Sequence, residues 1–304
     1  MTRILITDGM AQAGVDALKA KGCEVVEQHF EPDDLKEQLK QFDALVVRSA
    51  TKVREPIIDG ALETKQLKLI VRGGVGVDNI DVQYAEDKGI AVRNTPNASS
   101  ASVAELAIAH MFSLARFLYS SNVTMREGKW NKKQYSGIEL AGKTLGLIGF
   151  GRIAKETAKR AHALGMKVLY TNRTGKKAGY DDYTWMPLDD LLAQADFISL
   201  HMPFDKSVGA TLGEAQFAKM KDGVYIVNCA RGGVVDESAL LKALDSGKVA
   251  AAGIDVFAEE PTKNEALYTH PKVSLTPHIG ASTKEAQVRV ADEVVQVISE
   301  FFNL

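Results

Sequence analysis

Thr144-Leu145-Gly146-Leu147-Ile148-Gly149-Phe150-Gly151-Arg152-Ile153-Ala154 is a short apolar run that breaks at two glycines and resumes in helix-forming residues through Leu164. The pattern G-x-G-x-x-A between a strand and a helix is the arrangement in which a parallel sheet binds a dinucleotide pyrophosphate. Gly149 permits the tight turn, Gly151 lets the backbone approach the phosphates, and Ala154 is small enough for the helix to lie close to the strand. The helix N-terminus, with Arg152 and Ile153 in its first turn, offers unpaired N–H groups and the positive end of its dipole. The next apolar run, Lys167-Val168-Leu169-Tyr170-Thr171, leads to Asn172, 23 residues past Gly149, where such a fold meets the adenosine ribose. An acidic residue there would read the ribose diol of NAD, but Asn172-Arg173-Thr174 follows instead. Asn172 does not repel a 2′-phosphate and Arg173 could pair with one; Asn172 could equally bond an unphosphorylated ribose while Arg173 stays in solvent. NAD and NADP both remain open.

The same alternation of apolar runs and helical stretches extends in both directions. Upstream, strands are expected at Ile4-Leu5-Ile6, Val25-Val26, Ala44-Leu45-Val46-Val47 and Leu67-Lys68-Leu69-Ile70-Val71, with helices over 11–21 and 32–41. The last of these strands enters the glycine-rich turn Gly73-Gly74-Val75-Gly76. Arg93-Asn94-Thr95-Pro96-Asn97 reads as a turn cluster, and a long apolar helix follows over 99–118. A second alternating series runs from Thr144 to about Leu275, and the tail after Pro277 is one helix over 284–302. Strand–helix alternation of this kind implies parallel sheets covered on both faces. The expectation is therefore an α/β protein of two Rossmann-like, doubly wound domains with the active site in the cleft between them. A substrate domain covers 1–93 and 277–304, made discontinuous by the returning tail, and a dinucleotide-binding domain covers 94–276.

A chain of 304 residues is long enough for two such cores. Its net charge of −2 carries no basic field that would point to nucleic acid. Cys23 and Cys229 form no metal-ligand spacing with histidine, so no metal site is expected and reduced thiols are the plainer reading. The N-terminus runs straight into a strand pattern without a signal core, and Glu105, His110 and Arg116 interrupt the apolar stretch over 101–118. A soluble, cytoplasmic protein without a membrane span follows.

Three polar residues stand where strands of the second series end. Arg231 follows Val224-Tyr225-Ile226-Val227-Asn228-Cys229-Ala230, Glu260 lies in the turn after Ile254-Asp255-Val256-Phe257, and His278 follows Val273-Ser274-Leu275-Thr276-Pro277. Open α/β sheets bind ligands beyond the carboxyl ends of their strands, so the three can share one crevice. Their chemistry suits a 2-hydroxy or 2-keto acid. A permanently charged, planar guanidinium at Arg231 pairs with the carboxylate, and His278 titrates in the range needed to exchange the hydroxyl proton. Glu260, paired with His278, would favour the imidazolium and orient its ring. His29, His110, His162, His201 and His270 have no comparable setting and receive no chemistry. In the first series, Arg48 and Arg72 lie at strand ends, beside Gly73 and Gly74, and Lys132 and Lys133 sit in a loop near Trp130. Any of these cations could bind a substrate phosphate or remain a solvated surface charge.

Asn228-Cys229-Ala230-Arg231-Gly232-Gly233, Asp255-Val256-Phe257 with Glu259-Glu260-Pro261, and Pro277-His278 resemble the signatures of the D-2-hydroxyacid dehydrogenase family. Arg72-Gly73-Gly74-Val75-Gly76-Val77-Asp78-Asn79 and Asn94-Thr95-Pro96-Asn97 extend the resemblance over essentially the whole chain. Gly128-Lys129-Trp130 and Gly280-Ala281-Ser282-Thr283-Lys284-Glu285-Ala286-Gln287 are similar to its phosphoglycerate dehydrogenases, in a short form without the C-terminal regulatory domain of longer members. The resemblance implies that Asp255 contacts the nicotinamide end. It also implies that backbone around Val75, Arg152-Ile153, Met202 and Cys229-Ala230 lines the cofactor, that Gly280 and Ala281 lie beside His278, and that the long helix builds a homodimer. Two positions depart from the family pattern: Ala154 replaces its third glycine, and Asn172 replaces its acidic ribose reader. The expected reaction is oxidation of 3-phospho-D-glycerate to 3-phosphohydroxypyruvate, the first step of serine biosynthesis. The rivals are an NADPH-linked glyoxylate or hydroxypyruvate reductase of the same family and a non-catalytic, NAD(H)-sensing, corepressor-like binding protein.

Overall fold

Aliphatic runs without polar alternation need cover on both faces, and each becomes a strand of a parallel sheet. The computed structural model describes residues 1–304 and divides them into two compact units, 1–99 with 281–304, and 100–280.

In the first unit, β1 (Arg3–Ile6), β2 (Glu24–Glu27), β3 (Ala44–Val47), β4 (Leu69–Arg72) and β5 (Ala91–Asn94) form a five-stranded parallel sheet in the order β2-β1-β3-β4-β5. The period of two along each strand sorts its side chains. Leu5, Leu45, Val47 and Ile70 pack with Leu35 and Ile58 on one face, while Ile4, Ile6, Val46 and Val71 pack with Val15 and Leu18 on the other. The tail helix Lys284–Phe302 supplies Val290, Val294 and Ile298 to that second face. It is capped by Thr283, whose hydroxyl accepts the Ala286 N–H. Two local expectations are corrected here. Arg93 and Asn94 belong to β5 rather than to a turn, because their backbone pairs with Val71 and Arg72. The helix expected over 32–41 is α-helical only from Pro32 to Gln38 and tightens into a 3-10 turn at Leu39–Gln41.

In the second unit, β6 (Thr144–Ile148), β7 (Lys167–Thr171), β8 (Thr184–Trp185), β9 (Phe197–Leu200), β10 (Val224–Asn228), β11 (Val249–Ile254) and β12 (Val273–Leu275) form a parallel sheet. Its order, β12-β11-β10-β9-β6-β7-β8, reverses direction between β6 and β9. That reversal is the place where an open sheet leaves a crevice for a ligand. The helix expected over 99–118 is shorter, Ser100–Ala115, and bends by 65° into a second helix, Leu118–Arg126. The cause is tertiary. The Ile138 N–H takes the Ala115 carbonyl, Gly137 lies so close that a Cβ there would sit 2.3 Å from the same oxygen, and Phe117 turns left-handed at φ 54°. No single helix is long and apolar enough to cross a membrane. Cys23 and Cys229 are buried free thiols.

Candidate active site

The dinucleotide turn takes the form its glycines require. Gly149 has φ +90°, and a Cβ there would stand 2.3 Å from the His201 carbonyl oxygen and 3.3 Å from Met202 Cβ. No other residue type fits. The turn is tied across the reversal point, with the Gly149 N–H bonded to Thr171 O and the His201 N–H to Ile148 O. Gly151 caps the helix Arg152–Ala163, and a Cβ at Gly151 would meet nothing within 4 Å. The first turn, Arg152-Ile153, therefore offers its amides to open space, a cradle that suits a pyrophosphate. Ala154 is fully buried against Leu145 and Leu147. At the end of β7, Asn172 Oδ1 accepts the Thr174 N–H at 3.2 Å, whereas its Nδ2 is buried with no hydrogen-bond partner. A buried donor without an acceptor is costly, and a ribose hydroxyl oxygen would satisfy it. Arg173 is exposed; the Asp205 carboxyl is lowered first by hydrogen bonds from Ser207 and then by the Arg173 charge. These features fit a bound dinucleotide.

Beyond the ends of β10, β11 and β12, the second unit gathers Arg231, Glu260 and His278. Gly232 makes this possible: a Cβ there would lie 1.7 Å from the Phe257 carbonyl oxygen, so only glycine lets the Arg231 turn approach the Glu260 turn. Asn228 shapes the first turn by donating to Arg231 O at 3.0 Å and accepting the Ala230 N–H at 3.1 Å. Arg231 Nη1 donates to Ala230 O at 2.6 Å. His278 Nδ1 lies 2.7 Å from Glu260 Oε2, while Glu260 Oε1 accepts the Phe257 N–H at 3.0 Å. A carboxylate only accepts, so Nδ1 carries the proton and donates, and Nε2 is left for a ligand. Burial alone would raise the Glu260 pKa. The His278 hydrogen bond, the Phe257 amide and the charges of His278 and Arg231 outweigh it and hold the carboxyl below its ordinary range. The pair is only partly covered, with side-chain exposures of 39% for His278 and 36% for Glu260. His278 itself is left-handed at φ 53°, a conformation that costs a residue with a Cβ of the order of 1–3 kcal/mol.

Asp255 is 1% exposed, and its carboxylate is turned onto this histidine turn. It accepts from Thr276 Oγ1 at 2.6 Å, the Ile279 N–H at 2.8 Å and the Gly280 N–H at 2.9 Å. Thr276 in turn meets His110 Nε2 at 3.1 Å. Cys229 and Ala230 are buried beneath the Arg231 turn, and burial, then the Asp255 charge, pushes the Cys229 thiol up so that it stays protonated.

The first unit arranges its cations differently. Arg48 follows β3, with its N–H on Asp8 Oδ2 at 2.7 Å and its carbonyl accepting Asn79 Nδ2 at 2.7 Å. Thr51 completes the clamp, donating its N–H to Asp8 Oδ2 at 3.0 Å and its hydroxyl to Asp8 Oδ1 at 2.6 Å. Arg48 and Gly73 line a small pocket together with Met10 and Gln287. Gln287 donates to Ala281 O at 2.8 Å. The Arg72 guanidinium folds over Gly74, whose φ of +147° and lack of a Cβ leave room for it. Asn94 donates to Val75 O at 2.5 Å and steadies the following turn. Lys132 and Lys133 are exposed on a 3-10 turn, Lys132–Gln134, of the second unit.

Sequence reasoning missed Asp8, Asn79, His110 and Thr276. Asp8 follows a strand as Arg48 does, so the strand-end rule could have found it. His110 is a polar residue on the buried stripe of its helix, which is a signal only once the stripe is known to be buried.

A match to the family described as "D-isomer specific 2-hydroxyacid dehydrogenase, NAD binding domain" spans residues 108–280. The chain is 48% identical over 300 residues to the hydroxypyruvate reductase of Thermotoga maritima, covering 97% of each protein. It is 42% identical over 307 residues to the D-3-phosphoglycerate dehydrogenase of Bacillus subtilis, covering 99% of this chain and 57% of that relative. Among solved structures, the NADPH-dependent glyoxylate/hydroxypyruvate reductase of Sinorhizobium meliloti, in complex with NADP and malonate, superposes with a TM-score of 0.87 at 29% identity. That alignment covers 99% of this chain and 93% of the other.

Proposed function

The chain belongs to the D-isomer specific 2-hydroxyacid dehydrogenase family, and from that premise we propose that it interconverts 3-phospho-D-glycerate and 3-phosphohydroxypyruvate. Family membership makes the protein a hydroxyacid oxidoreductase that uses a nicotinamide cofactor. The hydrogen bond of 2.7 Å between His278 and Glu260 carries the mechanistic reading. When bound, the nicotinamide supplies the acceptor for the hydride that leaves C2. The chain's own residues do the rest. His278 Nε2 takes the proton of the C2 hydroxyl, and the imidazolium so formed is favoured by ionised Glu260. Arg231 pairs with the substrate carboxylate and fixes C2 in place. In reduction the same imidazolium returns the proton to the carbonyl oxygen.

The phosphate at C3 needs cations besides the one on the carboxylate, and Arg48 in its pocket, seconded by Arg72, is the reading for that part. Lys132 and Lys133 are further candidates. A second reading, a hydroxypyruvate or glyoxylate reductase using NADPH, is favoured in its cofactor by Asn172-Arg173 and in its hydroxypyruvate substrate by the Thermotoga relative. For the cofactor, we read Asn172 and Arg173 as admitting NADP(H) beside NAD(H). The partly exposed Phe112, Leu118, Val123, Met125 and Trp130 are proposed to lie in a homodimer interface.

A steady-state comparison of 3-phosphohydroxypyruvate with hydroxypyruvate, each with NADH and NADPH, tests these readings. We expect kcat/KM about tenfold higher for the phosphorylated acid, roughly 1.4 kcal/mol of transition-state binding. Equal efficiency would transfer the conclusion to the reductase reading. Absence of turnover with any 2-keto acid would leave only the binding-protein reading. Asn172→Asp should shift the preference several-fold toward NAD, and no NADPH turnover in the unaltered protein would defeat the role given to Arg173.

A further inference from the structure

We propose that His110 and Thr276 are positioning residues for the proton-transfer histidine, forming a buried hydrogen-bond relay that acts through Asp255 on the backbone of the His278 turn. This rests on the reading of His278 given above. The proton directions in the relay follow from valence. Asp255 is acceptor-only, and the short contact of 2.6 Å from Thr276 Oγ1 uses the one proton of that hydroxyl. The remaining contact of Thr276, to His110 Nε2 at 3.1 Å, must therefore run from the imidazole to the hydroxyl oxygen. Burial lowers the pKa of His110, which is 3% exposed, so the ring is neutral and carries its proton on Nε2. Its other face lies on β11. A Cβ at Gly253 would stand 2.8 Å from His110 Cβ and Cγ and 2.9 Å from Nδ1, so the strand has glycine where the ring rests.

The output of the relay is geometric. Asp255 receives Thr276 from before His278 and the amides of Ile279 and Gly280 from after it, while its own carbonyl accepts the His278 N–H at 2.9 Å. These bonds hold a residue with positive φ in the orientation that aims Nδ1 at Glu260. Without the His110 donor, Thr276 is free to rotate its hydroxyl away from Asp255, and Asp255 loses one of three bonds in a buried setting where each matters. The His110 side chain comes from the helix Ser100–Ala115, which also meets β12 through Ser113 Oγ and Ser274 Oγ at 3.2 Å.

The test compares Thr276→Val, Thr276→Ser, His110→Leu and His110→Gln by kcat, KM and NMR titration of His278 in histidine-labelled protein without cofactor or substrate, with His278→Ala identifying the resonance. Thr276→Val and His110→Leu should lower kcat at least about tenfold, within the range lost when a proton-transfer group is misplaced. KM for the cofactor should stay within about twofold, and the His278 titration should move. Thr276→Ser and His110→Gln, which keep the hydroxyl and a donor, should restore both readouts most of the way. Wild-type kcat and titration in the two apolar variants would overturn the proposal, even if their melting temperatures fall. If Thr276→Val does not fold, equal kcat and titration in His110→Leu and His110→Gln would overturn it as well. Undiminished turnover in His278→Ala would instead defeat the reading of His278, a result distinct from any failure of the relay.

Discussion

In the second unit, the residues at the ends of β11 and β12 are held by side chains: His278 on Glu260 at 2.7 Å, and Asp255 under the histidine turn with three bonds. In the first unit, the bonds that hold Arg48 run through its backbone, from Asp8 and Asn79, and its side chain lines a small pocket. The difference matches what each group is asked to do. A proton must be passed at a defined atom, and a misplacement of about an ångström is costly, so the donor and its partner are locked before the ligand arrives. An anion can be met by a flexible cation as long as the base of the side chain is anchored, and the ligand itself completes the geometry.

Breaking the locked region should give the largest effect. His278→Ala should reduce kcat by about 10³-fold, within the usual span for general acid–base catalysis, with the dinucleotide dissociation constant unchanged by fluorescence titration. A loss smaller than about tenfold would mean that proton transfer does not pass through this ring.

Glu260→Gln should come next, with a loss of about tenfold and, for oxidation of the hydroxy acid, a shift of the acidic limb of kcat/KM to lower pH. The sign follows from the depressed Glu260 pKa, which keeps the carboxylate ionised where it favours the His278 imidazolium. A carboxyl lowered in the folded state adds stability above its ordinary range and loses it as pH falls through the lowered value. The melting-temperature difference between the two proteins should therefore close at the acid end of a pH series. An unmoved limb would show that the pair is structural.

In the first unit, Arg48→Ala should remove about tenfold of kcat/KM for 3-phosphohydroxypyruvate and less for hydroxypyruvate. Asp8→Asn, which spoils an acceptor of the backbone clamp, should give a weaker copy of the same pattern. Equal losses on both substrates would assign Arg48 to the carboxylate or to the fold rather than to phosphate.

The smallest effect is the pH dependence of stability at His110. Its lowered pKa means that the unfolded chain takes up a proton at higher pH than the folded one does. Stability from this residue is thus full above about pH 6.5 and declines as pH falls. His110→Gln should flatten the acid side of the melting curve by a few degrees at most for a chain of this size. An identical acid slope in both proteins would show that His110 is not buried as a neutral ring.

Much of this was legible in advance because it depends on local rules. A turn with two glycines between an apolar strand and a helix has few uses, and the strand-end rule picked out Arg231, Glu260 and His278 without knowing their distances. Other features were not legible, because the partner that imposes them is remote in sequence. Residues 99–118 read as one helix, yet Ile138 takes the carbonyl of Ala115 and the chain bends there. Arg93 and Asn94 carry turn-forming chemistry but are drawn into β5 by pairing with β4. The resemblance marks Asp255 as a cofactor contact, and only the folded turn shows that its carboxylate also bonds residues 276–280.

By itself, the sequence determined the parallel α/β class, the dinucleotide turn at Gly149–Ala154 and the residue types available for hydroxyacid chemistry, since periodicity and steric demands act within a few residues. Only the tertiary structure decided which of those residues meet. Hydrogen bonds from His110 to Thr276, 166 residues apart, and from Arg48 to Asp8, 40 apart, form only when elements distant in the chain pack side by side. Their strength comes from burial that no short stretch of sequence contains.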